Sequence, residues 1–155
     1  MAKAKMSDQK LPWVSIACVC EKVLREPDHV MTLVRIVDTF YVPEQPVEES
    51  GLPVQHVVQA YAVITLKAGG LEAGSYTLHF RRRLPSGEVK LFGPEEGLPV
   101  VFTGDEPTEG TVVVIKFSMK AKELGIHLLD VVWEGKETLT TIPIKLAEAQ
   151  DRDTD

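Results

Sequence analysis

The sequence predicts an all-β fold: a two-sheet antiparallel β-sandwich of about eight to nine short strands with no major helix. Three observations carry this reading. The chain holds 20 Val, 7 Ile and 11 Thr against 10 Ala. Those β-branched side chains suit a pleated, half-buried surface and lose rotamer freedom in a helix. Apolar and polar residues alternate over short runs, which is the period of a strand. Eleven Gly and ten Pro interrupt the chain often enough to keep the runs short. An eight-stranded jelly roll or a partly closed barrel is the alternative topology.

The 155 residues form one domain with tails. Residues 1–12 read as a flexible polar arm, 13–146 as the sandwich, and 147–155 as a disordered acidic tail. The first strand covers 13–23, with Val14, Ile16, Cys18 and Cys20 on one face. A second covers 30–42 and is apolar on both faces, as in a central strand or one that bends between two sheets. Residues 43–56 carry three Pro and three Glu, so no regular element forms there. Strand three, 57–67, turns Val58, Ala60, Ala62, Ile64 and Leu66 to one side. Strand four, 75–83, points Tyr76, Leu78 and Phe80 inward, and a hairpin leads to a short strand at 88–92. The stretch 93–110 is rich in loop residues around Pro99-Val100-Val101-Phe102. Strand six, 111–119, places Val113, Ile115, Phe117 and Met119 together. Lys120 to Leu124 suggests one helical turn ended by Gly125. Strand seven, 126–134, and the last strand, 138–146, flank a tight turn at Gly135. Leu139 is out of phase with Ile142, which predicts a bulge near Thr140. Pro143 has no N–H and places the last strand at a sheet edge.

The Gly74-Ser75-Tyr76-Thr77-Leu78-His79-Phe80 segment resembles the Gly-x-Tyr-x-Leu-x-Phe run of immunoglobulin-like sandwiches. Over 13–146 the order is similar to a family of small, uncharacterised bacterial sandwich proteins. In these a cysteine-containing first strand precedes a strand ending in an aromatic, here Phe40. The resemblance implies the fold and a tyrosine hydroxyl that caps a corner; it implies no activity.

Charge and composition narrow the function. A net charge of -6 argues against general binding to nucleic acid or anionic membranes. No apolar run reaches the roughly 18 residues that span a bilayer, and no leader is visible, so a cytoplasmic location is expected. Cys18 and Cys20 sit one residue apart on a strand and read as two reduced, buried thiols. His29, His56, His79 and His127 share no metal-ligand spacing. There is no nucleophile elbow and no phosphate-cradling glycine loop. No cofactor, metal or catalytic set is therefore expected.

What remains is charge placement. Arg81-Arg82-Arg83 is the strongest local feature, and alternation sends Arg81 and Arg83 to one face and Arg82 to the other. Acidic residues gather in 43–56, with Glu48 and Glu49, and in 93–110, with Glu95 and Glu96. Opposed ends of unlike charge would favour self-association. These observations lead to a non-catalytic interaction or assembly module. Arg81, Arg83, Glu48, Glu49, Glu95 and Glu96 are its candidate contacts, and the partner is a protein or a second copy, with neither nucleic acid nor membrane. One alternative is a carbohydrate-type sandwich, which needs an exposed row drawn from Trp13, Tyr41, Tyr61 and Trp133. Another is an enzyme built on loop carboxylates.

Overall fold

Strand alternation decides which side chains meet, and here it builds two sheets around one apolar layer. The computed structural model describes residues 10–28, 30–43, 57–120 and 122–149. Among them are ten strands and no helix. In chain order these are β1 Trp13–Arg25, β2 Met31–Ile36, β3 Thr39–Val42, β4 Val57–Lys67 and β5 Gly74–Arg83. They are followed by β6 Val89–Leu91, β7 Leu98–Phe102, β8 Gly110–Lys120, β9 Gly125–Trp133 and β10 Glu137–Glu148. A four-stranded sheet has the order β2-β1-β4-β8. A six-stranded sheet has the order β3-β10-β9-β5-β6, with β7 pairing β5 beyond the end of β6. All pairings are antiparallel except β3 on β10. The fold is an all-β sandwich, as the residue pattern predicts.

The core forms where the inward residues of the two sheets interdigitate. Ala60, Ala62, Ile64 and Leu66 of β4 join Ile115, Phe117 and Met119 of β8 from one sheet. Leu78 and Phe80 of β5, Leu129, Val131 and Trp133 of β9, and Ile144 of β10 come from the other. Phe92 links these layers, with its ring centroid 5.3 Å from Phe80 and 5.7 Å from Phe117. The hydroxyl of Tyr76 donates to the carbonyl of Glu72 at 2.8 Å, which closes the corner before β5.

Several expectations change in detail. The predicted strand at 30–42 is two strands in different sheets, because the chain leaves the first sheet at Val37 and Asp38, after β2 ends at Ile36, and enters the second at Thr39. The apolar face of β1 switches at a register shift between Val14 and Ile16. Val14, Ala17 and Val19 then meet the core, and Cys18 and Cys20 pair with Val63 and Tyr61 on the other face. Residues 98–102 form a full strand on β5 rather than an interruption in a loop. The bulge in β10 falls between Thr138 and Thr140, as predicted. The placement of β10 at a sheet edge is corrected: β3 covers it from Lys145 to Glu148. Pro143 lies just before that parallel ladder starts, so its missing N–H leaves no bond unmade. Between β8 and β9 there is a tight turn, closed by the Glu123 N–H donating to the Lys120 carbonyl at 2.9 Å, instead of a helix.

Candidate functional site

The arginine triplet is split by the sheet. Arg81 and Arg83 project from the outer face of β5, opposite Asp130 and Leu128 of β9. Arg83 donates from Nε and Nη2 to both oxygens of Asp130, at 2.8 and 2.9 Å. Thr141 donates to Asp130 Oδ1 at 2.7 Å, and Arg81 Nη2 stands 3.6 Å from Oδ2. Burial opposes the charge on Asp130. The Arg83 bonds, the Thr141 hydroxyl and the two guanidinium charges outweigh it and hold the carboxyl below its ordinary range. Asp130 is therefore the acidic group that Arg81 and Arg83 face within the molecule.

Arg82 faces the other way, into the seam between the sheets, and is buried. Its Nη1 donates to the carbonyl of Ser118 on β8 at 2.8 Å, so it ties the two sheets together at one end. Its Nη2 lies 3.6 Å from Glu123 Oε2. Lys90, the register partner of Arg82 on β6, donates to Glu123 Oε1 at 3.2 Å. The Lys120 amide donates to Oε2 at 3.3 Å. Burial works against the Glu123 carboxylate, but the Lys90 bond, the Lys120 amide and the Arg82 charge together lower its pKa.

A cleft of about 350 Å³ opens over this cluster. The turn between β5 and β6 gives it Leu84, Pro85, Ser86 and Glu88; β6 gives Lys90. The turn between β8 and β9 gives Lys120, Lys122, Glu123 and Leu124. The two turns meet closely because Gly125 has no side chain: a Cβ there would lie 2.9 Å from Pro85 Cβ, and its φ is +119°. Three lysines face two glutamates in this cleft, and among the described residues only Lys90 of the three is ion-paired. Beneath it, His127 is fully buried. Its Nε2–H donates to the Glu123 carbonyl at 2.6 Å, and its Nδ1 has no partner. Burial and the Arg82 charge depress its pKa against the pull of the Glu123 carbonyl bond, which favours the neutral ring.

The opposite end of the sandwich holds a second cleft of about 500 Å³, lined by Lys10, Glu72, Ser75, Tyr76, Trp133 and Glu134, among others. One oxygen of Glu134 is already taken by the Thr77 amide at 2.7 Å. Trp133 is buried and stacks on Tyr76 at 5.0 Å. Trp13 and Tyr41 are exposed but belong to β1 and β3, strands of different sheets, so the aromatics form no row. Glu95 and Glu96 are exposed in the turn before β7. Glu48, Glu49, His29 and His56 lie outside the described residues. Glu109 is used structurally: its carboxylate accepts from the amides of Thr103 and Gly104 and from the Thr103 hydroxyl. Among the described residues no group of His, Cys, Asp and Glu could hold a metal, and no helix is long and apolar enough to cross a membrane.

The cleft over Glu123 was not legible in advance. Lys120, Lys122 and Glu123 stand in one turn of the sequence, and that charged turn before a glycine was the available signal. Its meaning depends on Arg82 and Lys90, which only the β5–β6 and β5–β9 pairings bring beside it.

No family model matches the chain, and no curated protein matches it. Among solved structures it is similar to the Pseudomonas fluorescens alkylpurine DNA glycosylase AlkC bound to DNA containing an abasic site analog. The likeness covers 88% of this chain and 30% of that one, at 10% identity and a TM-score of 0.45. Set against this DNA-bound glycosylase, two expectations do not stand: the non-catalytic interaction or assembly module and the exclusion of nucleic acid as a partner. Neither is carried further. At that identity and TM-score the likeness brings none of the neighbour's activity to this chain.

Proposed function

We propose that this sandwich binds a phosphate-bearing ligand in the cleft between the β5–β6 and β8–β9 turns. The observation that carries the reading is the excess of cation there. Lys120 and Lys122 have no ion-pair partner among the described residues, and they stand beside Lys90 and the buried Arg82 guanidinium. Cations grouped at the mouth of a cleft with low-dielectric walls concentrate anions, against the overall charge of the chain. Flexible ammonium groups suit phosphate as point charges, and Ser86 adds a hydroxyl donor. Leu84, Pro85 and Leu124 supply an apolar wall for an organic body. A volume of about 350 Å³ lies at the lower end of the range for small-molecule sites.

Titration calorimetry with inorganic phosphate and pyrophosphate at low salt tests this. Saturable binding is expected, weakened about tenfold or more by Lys120→Ala combined with Lys122→Ala, since each lost charge-assisted bond exceeds about 1 kcal/mol. Binding of equal strength in the double variant and the natural chain, or none in either, contradicts it.

A further inference from the structure

We infer that Glu123 makes this cleft selective for a phosphate monoester dianion over singly charged anions, by holding the cation cluster with its own carboxylate until a ligand of higher charge displaces it. The inference rests on the phosphate reading above and adds a specificity-determining residue to it.

Glu123 is placed as a tethered competitor. Its main chain is fixed on both sides: the N–H donates to the Lys120 carbonyl at 2.9 Å, and the carbonyl accepts from the buried His127 ring at 2.6 Å. Only the side chain is free to leave. Its carboxylate, one tenth exposed, already sits where an incoming anion would go, between Lys90 and Arg82 and over the Lys120 amide. A tethered group acts at an effective concentration of roughly millimolar or more. A free monoanion that replaces it exchanges one charge for one, and gains nothing beyond what the site holds already.

A phosphate monoester differs in charge and in oxygen count. Above its second pKa of about 6 it carries nearly two charges and three terminal oxygens. One charge can replace that of Glu123 at Lys90 and Arg82, and the other is left for Lys120 and Lys122 on the same side of the cleft. A diester or a carboxylate has one charge and cannot serve both sets. Glu88 on the opposite turn adds a second acidic group at the rim. Glu95, exposed in the turn before β7 and outside the cleft lining, serves as the internal control.

The test compares two ligands of similar body and unequal charge on the full chain at pH 8 and low salt. Phenyl phosphate is the dianion and methyl phenyl phosphate the monoanion. The natural chain is expected to bind the dianion at least about tenfold more tightly. In Glu123→Gln the gap should shrink to within about threefold, chiefly because the monoanion binds better. Glu95→Gln should leave the gap as it was. Where Glu123→Gln fails to fold, Glu123→Asp replaces it, since the shorter arm keeps the charge but loses its reach to Lys90. Both ligands binding with the gap unaltered in the Glu123 variant, or altered equally by Glu95→Gln, overturns the selectivity and leaves the phosphate reading standing. Binding of neither ligand to any form overturns both.

Discussion

Single residues at two places in this sandwich carry more than their share of the physics. Asp130 sits on the outer face of β9 yet is almost fully covered, because Arg81 and Arg83 lie over it. Asp130→Ala removes the acceptor for Arg83 and Thr141 at once, and a thermal midpoint lower by roughly 4–8 °C is expected by circular dichroism. His127 gives a pH signature. Its folded pKa is depressed, so below the ordinary histidine value of 6.5 the unfolded chain takes up a proton that the folded chain refuses. Stability should hold steady above that pH and decline as the pH falls through it. In urea titrations from pH 7.5 to 5, His127→Gln should flatten this decline, while a slope equal to that of the natural chain would show that the ring titrates freely. The lowered carboxyls of Glu123, Asp130 and Glu109 act with the same sign further down. Their stabilisation is present above the ordinary carboxylate range and is lost as the pH falls through their lowered values. Strand alternation made the division of Arg81 and Arg83 from Arg82 readable in the sequence. The acidic partner was not readable, because Asp130 lies 47 residues from Arg83 and meets it only through the β5–β9 register.

Strands with a clean period of two were readable almost to the residue, as β4, β5 and β8 demonstrate. Failures came where a local break overrode the period. A bend at Val37 and Asp38 divides what reads as one apolar strand, and the sheet switch that follows is a long-range pairing with no local mark. The hairpin between β9 and β10 is the reverse case, because its chemistry is local. Glu134 and Gly135 both take positive φ, 51° and 66°, in the three residues between Trp133 and its register partner Glu137, where the Lys136 N–H donates to the Trp133 carbonyl at 2.9 Å. Glu134 tolerates it with two bonds to Thr77, its N–H donating to the carbonyl at 2.9 Å and its carboxylate accepting from the amide at 2.7 Å. Gly135→Ala should cost about 1 kcal/mol in chemical denaturation, since the added Cβ meets the backbone penalty with no such help. Phe117→Ala removes a ring that both sheets touch through Phe92, and should cost about 3–5 kcal/mol by the same measurement.

At the scale of the whole molecule, charge and topology work together. The net charge of -6 conceals a cationic end, where Lys90, Lys120 and Lys122 surround a buried Arg82 and Glu123. The loop at the other end, between β7 and β8, is acidic and holds its own amides with Glu109. Composition reported the sum and could not report this division, because the cations come from three separate stretches that converge only when β5, β6, β8 and β9 are assembled. The candidate site was therefore less legible than the fold. Binding driven by such a cluster should weaken steeply as salt rises, because the ammonium groups are exposed to screening. The most direct test of the phosphate cleft is a backbone amide NMR titration of the full chain with phenyl phosphate. The account predicts saturable shifts concentrated at Ser86, Lys90, Lys120, Lys122 and Glu123. Saturable shifts centred on the Tyr76 and Trp133 end, or an unchanged spectrum at millimolar ligand, would contradict it.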